Sequence, residues 1–191
     1  MKKTIKLFSI LCLTVSMLAG CSGSKVINDK TVAEEFVRNI YTVDSSKITE
    51  LHQLNATPGP IIGVDVSTEK SKPSEAYIKI MKSLDKKIEP LMAKGAYDIL
   101  VANDFNLTLP IICDKGNYTS KVTKFTLGEN VYANNKDKNK VRYSYEITLE
   151  FMPNDGTASK ADTSKGVIEL INEDGQWKVG LYTISVYPER N

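Results

Sequence analysis

Residues 141–151 read Val-Arg-Tyr-Ser-Tyr-Glu-Ile-Thr-Leu-Glu-Phe, and no other stretch restricts the fold as tightly. Val141, Tyr143, Tyr145, Ile147, Leu149 and Phe151 alternate strictly with Arg142, Ser144, Glu146, Thr148 and Glu150. A period of two puts the first set on one face of a β-strand. The polar set on the other face speaks against a parallel sheet buried on both sides and for an antiparallel sheet with one wet face. The rest of the chain must therefore supply partner strands and a layer to cover the apolar face.

It supplies both. Residues 117–127, rich in Thr, Val, Tyr and Phe, read as a strand, and 166–172 and 177–187 as two more. The last two are joined by Glu173-Asp174-Gly175-Gln176, a turn in which glycine supplies the positive φ. The stretches "NNKDKNK" and "PNDGTASKADTSK" read as solvated connections. Upstream the period is 3.6. Thr31-Val32-Ala33-Glu34 has the form of a capping box, and Ala33, Phe36, Val37, Ile40 and Tyr41 lie on one stripe of a helix of about 12 residues. Asp44-Ser45-Ser46 caps a short second helix carrying Ile48, Leu51 and Leu54. Residues 55–72, with Pro58, Gly59, Pro60 and Gly63, read as a long loop holding an extended piece at 61–66. The spacing of Tyr77, Ile80, Met81, Leu84 and Ile88 predicts a helix over 71–89, with Pro73 in its first turn and Pro90 ending it. Helical spacing resumes over 91–103 with Gly95 as a weak point, and 104–117 reads as irregular. Helices followed by strands predict an α+β fold, N-terminal helices packed on a curved four-stranded antiparallel sheet.

Ahead of all this the chain opens Met1-Lys2-Lys3-Thr4-Ile5-Lys6 and runs on through an apolar stretch, residues 7–18. That stretch is about a dozen residues, against roughly 20 for a permanent transmembrane helix, so it reads as an export signal. Its end, Leu18-Ala19-Gly20-Cys21, resembles the lipobox of bacterial lipoproteins. The resemblance implies a thioether-linked diacylglycerol on Cys21 and cleavage before it. Two acyl chains hold a protein stably on a bilayer where one does not. The expected organisation is a signal over 1–20, a flexible tether over 21–30 and a single α+β domain over 31–191.

Composition narrows the function classes. Removing the three lysines of the signal takes the formal charge from +2 to −1, which leaves no basic excess to neutralise a phosphate backbone and speaks against nucleic acid as a partner. With Cys12 in the signal and Cys21 lipidated, Cys113 is the remaining thiol, which rules out a paired-cysteine metal cluster. Its apolar neighbours Ile111 and Ile112 make it a small buried hydrophobe rather than an activated nucleophile. His52 is the one histidine, and without a paired carboxylate or cysteine nearby it argues against zinc. Lys79, Lys82, Lys86 and Lys87 form a solvated helix face.

The order of elements, with the Asp174-Gly175-x-Trp177-Lys178 hairpin inside "GVIELINEDGQWKVGLYTISV", resembles the nuclear transport factor two-like superfamily over about residues 31–187. A cystatin-like helix on a sheet has the same ingredients. The resemblance implies a cone-shaped domain whose sheet and helices enclose a pocket, where some members carry out proton transfer on small molecules. The candidate pocket-lining residues under it are Tyr143, Tyr145, Phe151, Trp177 and Tyr97. Tyr143 and Tyr145 are then the available hydrogen-bond donors, and Asp104 or His52 the available base. None of these lies in a motif of an enzymatic member, so no catalytic residue is carried over. Their plainer roles are core aromatics for the two tyrosines, a helix end for Asp104 and a surface position for His52; Trp177 closes the open end of the sheet. The expected function is non-catalytic, with no cofactor and no metal. The domain would bind a small ligand, peptide or envelope protein at the outer side of the cytoplasmic membrane, or at the outer membrane in a Gram-negative source. The alternative is an isomerase or dehydratase using the same pocket.

Overall fold

The computed structural model describes residues 28–59, 73–131 and 138–188. The signal, Cys21, most of the tether and the extended piece expected at 61–66 lie outside the described residues. Five α-helices precede four strands: α1 Asp29–Tyr41, α2 Ser45–Asn55, α3 Glu75–Leu84, α4 Ala96–Ala102 and α5 Phe105–Gly116, then β1 Tyr118–Leu127, β2 Lys140–Pro153, β3 Lys160–Glu173 and β4 Gln176–Val186. The expected α+β class, with helices against a four-stranded antiparallel sheet, is what the structure has.

The sheet is a meander in the order β1-β2-β3-β4. Tyr143 stands opposite Ile168, Tyr145 opposite Gly166 and Ile147 opposite Ser164. All six alternating residues of β2 are buried, together with Ile168 and Leu170 of β3 and Val179 and Tyr182 of β4. The opposite face is wet and laced with ion pairs: Arg142–Glu169 at 2.8 Å, Lys165–Glu146 at 2.8 Å and Lys121–Glu150 at 2.9 Å. β3 starts at Lys160, six residues before the expected Gly166, because the polar stretch read as a connection still finds ladder partners, Lys160 opposite Phe151 through Lys165 opposite Glu146. At the β3–β4 hairpin both Asp174 (φ 52°) and Gly175 (φ 84°) are left-handed, the two-residue turn whose twist matches its strands.

The covering layer begins with α1, which buries Val32, Ala33, Phe36, Val37, Ile40 and Tyr41. Its cap is Asn28, whose side chain accepts from Thr31 N at 2.8 Å, not Thr31 as the capping-box pattern suggested. The folded part therefore begins a few residues before 31. Asp44 caps α2 as expected, accepting from Lys47 N at 2.9 Å. α3 is shorter at both ends than the expected 71–89. Ser74 caps it, leaving Pro73 outside, and the helix closes at Asp85, after which a turn and a 3₁₀ segment, Glu89–Leu91, absorb Pro90. Proline disfavours α-geometry at the residue before it, and Glu89 accordingly lies in the 3₁₀ segment rather than in α3. Gly95 at φ 79° delays α4 to Ala96.

α5 corrects the expectation of an irregular stretch over 104–117. Pro110 inside it and apolar residues on several sides hid its stripe. The helix is apolar on both flanks because it joins two cores: Leu109 and Cys113 face the main core over the sheet, while Leu107 packs with Leu54, Met81 and Leu84 of the smaller core. Burial on both sides outweighs the roughly 3 kcal/mol that an interior proline costs. Among the described residues no helix is long and apolar enough to cross a membrane.

Candidate functional site

Tyr41, Tyr145 and Tyr182 form a hydrogen-bonded cluster in the core beneath the sheet's buried face. Ser164 Oγ donates to Val186 O at 2.7 Å and so is an acceptor for the Tyr41 hydroxyl at 2.6 Å. Tyr145 Oη lies 3.2 Å from Tyr41 Oη, 3.1 Å from Tyr182 Oη and 3.2 Å from Thr183 O. The Tyr145 and Tyr182 rings stack at 5.7 Å. Gly166 makes room for them, since a Cβ there would stand 2.0 Å from Thr183 O and 2.5 Å from Tyr145 Oη. Burial holds the phenols of Tyr145 and Tyr182 far above the ordinary tyrosine range, so they stay neutral. Tyr143 is likewise buried, with its hydroxyl donating to Asp29 Oδ2 and its phenol raised by burial and by that carboxylate.

Between α5 and the β2–β3 hairpin a cavity of about 430 Å³ opens. One wall is a face of α5, Thr108, Ile111, Ile112 and Lys115, spaced as one side of a helix requires. The other is the β2–β3 hairpin: Phe151 with Lys160, Ala161 and Asp162. Tyr118 closes the end, its ring 6.1 Å edge-on from Phe151. Asp104 stands at the start of α5 with φ 53°, its carbonyl accepting from Leu107 N and Thr108 N.

Of the five residues expected to line a pocket, Phe151 lines this one. Tyr143 and Tyr145 fill the core instead, and Trp177 packs against the core from the β3–β4 hairpin. Tyr97 donates to Asp85 Oδ2 at 2.7 Å, beneath α3 and α4. Asp104 reaches the cavity, but His52 does not. His52 Nε2 pairs with Asp114 Oδ1 at 2.6 Å on the exposed side of α2 and α5. The four groups named for proton transfer are thus not brought together. Cys113 is fully buried, and burial pushes its thiol up to about 11, so it is not a thiolate at neutral pH. Among the described residues no group of three or more His, Cys, Asp or Glu is placed to hold a metal ion.

A polar cluster that the sequence did not announce lies under the helices. Asp85 and Asn106 are each 1% exposed. Asn106 Nδ2 donates to Asp85 Oδ2 at 2.8 Å, beside the Tyr97 hydroxyl, while Oδ1 of each residue has no partner. Burial raises the Asp85 carboxyl, opposed by those two hydrogen bonds and by Lys47. Lys47, itself lowered by burial, donates to Asn39 O at 3.2 Å and Thr42 O at 3.3 Å, bracing the end of α1. The available signal was position: residue 85 falls beside the stripe of Met81, Leu84 and Ile88, where a carboxylate is out of place.

No protein-family model matches the chain, and no curated protein sequence does. Two solved structures are similar in outline. The intermembrane space region of the chloroplast protein ARC6 is 12% identical, with a TM-score of 0.36, over 82% of this chain and 95% of that one. A periplasmic fragment of TraM is 8% identical, with a TM-score of 0.37, over 81% of this chain and 93% of that one.

Proposed function

We propose that this chain is a bacterial lipoprotein, held by lipid on Cys21 outside the cytoplasmic membrane, whose cone-like domain of nuclear transport factor two type binds a small ligand without transforming it. The observation that carries the reading is the cavity between α5 and the β2–β3 hairpin. Its volume of about 430 Å³ lies within the range of small-molecule sites, and Ile111, Ile112, Tyr118 and Phe151 give it an apolar lining under a charged rim. The phenols that an isomerase would aim at a developing oxyanion are sequestered in the core, hydrogen-bonded to one another and to Asp29, which favours binding over catalysis. Export behind a lipobox puts the domain where ligands arrive from outside.

Native mass spectrometry of the full chain, purified in mild detergent from its own cells, tests this. A small molecule retained by the wild type and missing from Ala161→Trp, which fills the cavity mouth, is the expected result. Identical spectra with nothing bound to either would count against it.

A further inference from the structure

The cavity is charged in a definite sense, and that limits what it takes. α5 runs from Phe105, which meets Tyr182 of β4 at 6.0 Å, to Gly116, next to the β1–β2 end of the sheet. Lys115 therefore stands at the Tyr118–Phe151 end of the cavity. Lys160 joins it there, because its register partner is Phe151. Asp104 lies at the opposite end of α5. Asp162, whose Oδ1 accepts from Thr163 N at 2.6 Å, is on the same face of β3 as Lys160 but about 7 Å further along, opposite Leu149. Both lysines thus gather at one end and Asp104 lies at the other, with Asp162 nearer the lysines and an apolar floor between. A full carboxylate at Asp104 outweighs the roughly +0.5 charge of the helix start, so the polarity set by the side chains stands.

We propose that the ligand is a short zwitterionic peptide with an apolar or aromatic middle. Its carboxylate meets Lys115 and Lys160, its ammonium meets Asp104, and its central side chain rests on Ile111, Ile112, Tyr118 and Phe151. The proposal rests on the cavity reading above. Length follows from the fold. The eleven residues from Asp104 to Lys115 span about 16 Å of helix, which the inward reach of the lysine shortens. At about 3.4 Å per residue an extended peptide of about three residues fits.

Titration calorimetry on the full chain in non-ionic detergent uses four probes: Ala-Phe-Ala with free ends, its N-acetylated form, its C-amidated form, and the small uncharged N-acetylphenylalaninamide. The free tripeptide is expected to bind about fivefold more tightly than either singly blocked form. In the double variant Lys115→Ala with Lys160→Ala, amidation should cease to matter while acetylation still does. In Asp104→Asn the reverse should hold; asparagine tolerates the left-handed backbone at 104. If N-acetylphenylalaninamide binds, Ala161→Trp abolishes its binding, and free termini bring no gain, the peptide proposal is overturned while the cavity reading survives. If no probe binds, both fall.

Discussion

At Asp85 an acidic side chain is buried with two hydrogen bonds on one oxygen and none on the other, next to an amide oxygen that also lacks a partner. Both orphan atoms are acceptors, so a hydrogen-bond donor is what the site is short of. Its carboxyl titrates higher folded than unfolded, where the value is about 3.9. The folded chain therefore binds that proton more tightly. The stability this contributes is complete below the unfolded value and is lost as pH rises through the folded one. Asp85→Asn, which puts an amide donor there permanently, should match the wild type near pH 4 and exceed it at pH 7 by about 1–2 kcal/mol in urea denaturation. A difference that does not grow with pH would contradict this. Gly166 makes the opposite prediction. A methyl group at that position meets backbone and the Tyr145 hydroxyl at once, so Gly166→Ala should cost at least about 2 kcal/mol and lower the melting temperature. These two residues also mark the limit of what could be read beforehand. Asp85 sits beside an apolar stripe, a detectable anomaly, whereas the crowding at Gly166 depends on a register that pairs it with Tyr145.

Among the elements, β2 was the most legible, since a strict period of two fixes which face of the strand is buried. The helix ends were less so. Asp44 acts as the cap its type suggests, but Asn28 displaces Thr31 because its side-chain oxygen serves both the N–H and the hydroxyl of Thr31. α5 was missed because a helix buried on two sides carries no single stripe and Pro110 argued against it. The cavity was missed with it: Thr108, Ile111, Ile112 and Lys115 become one wall when 105–116 is helical, and 160–162 becomes the other when β3 starts early. The tyrosines expected to line a pocket were placed on the correct face of the sheet, yet α1 and α5 cover that part of it. At the β3–β4 turn, Gly175 at φ 84° should resist substitution. Gly175→Ala is expected to cost about 1–2 kcal/mol, measured as a lower urea midpoint with an unchanged slope.

For the whole molecule, the cavity between α5 and the β2–β3 hairpin is the binding site we propose. The other face of the sheet is polar, and in the proposed reading the start of the chain is tied to a surface. The functional reading depends on where the tie is made, namely lipid on Cys21 rather than a peptide helix in the bilayer. Growing cells with labelled palmitate and separating membranes from soluble fractions tests it directly, with wild type and Cys21→Ser side by side. The account predicts label and membrane sedimentation for the wild type and loss of both in the variant; a variant equally labelled and equally sedimented would contradict it.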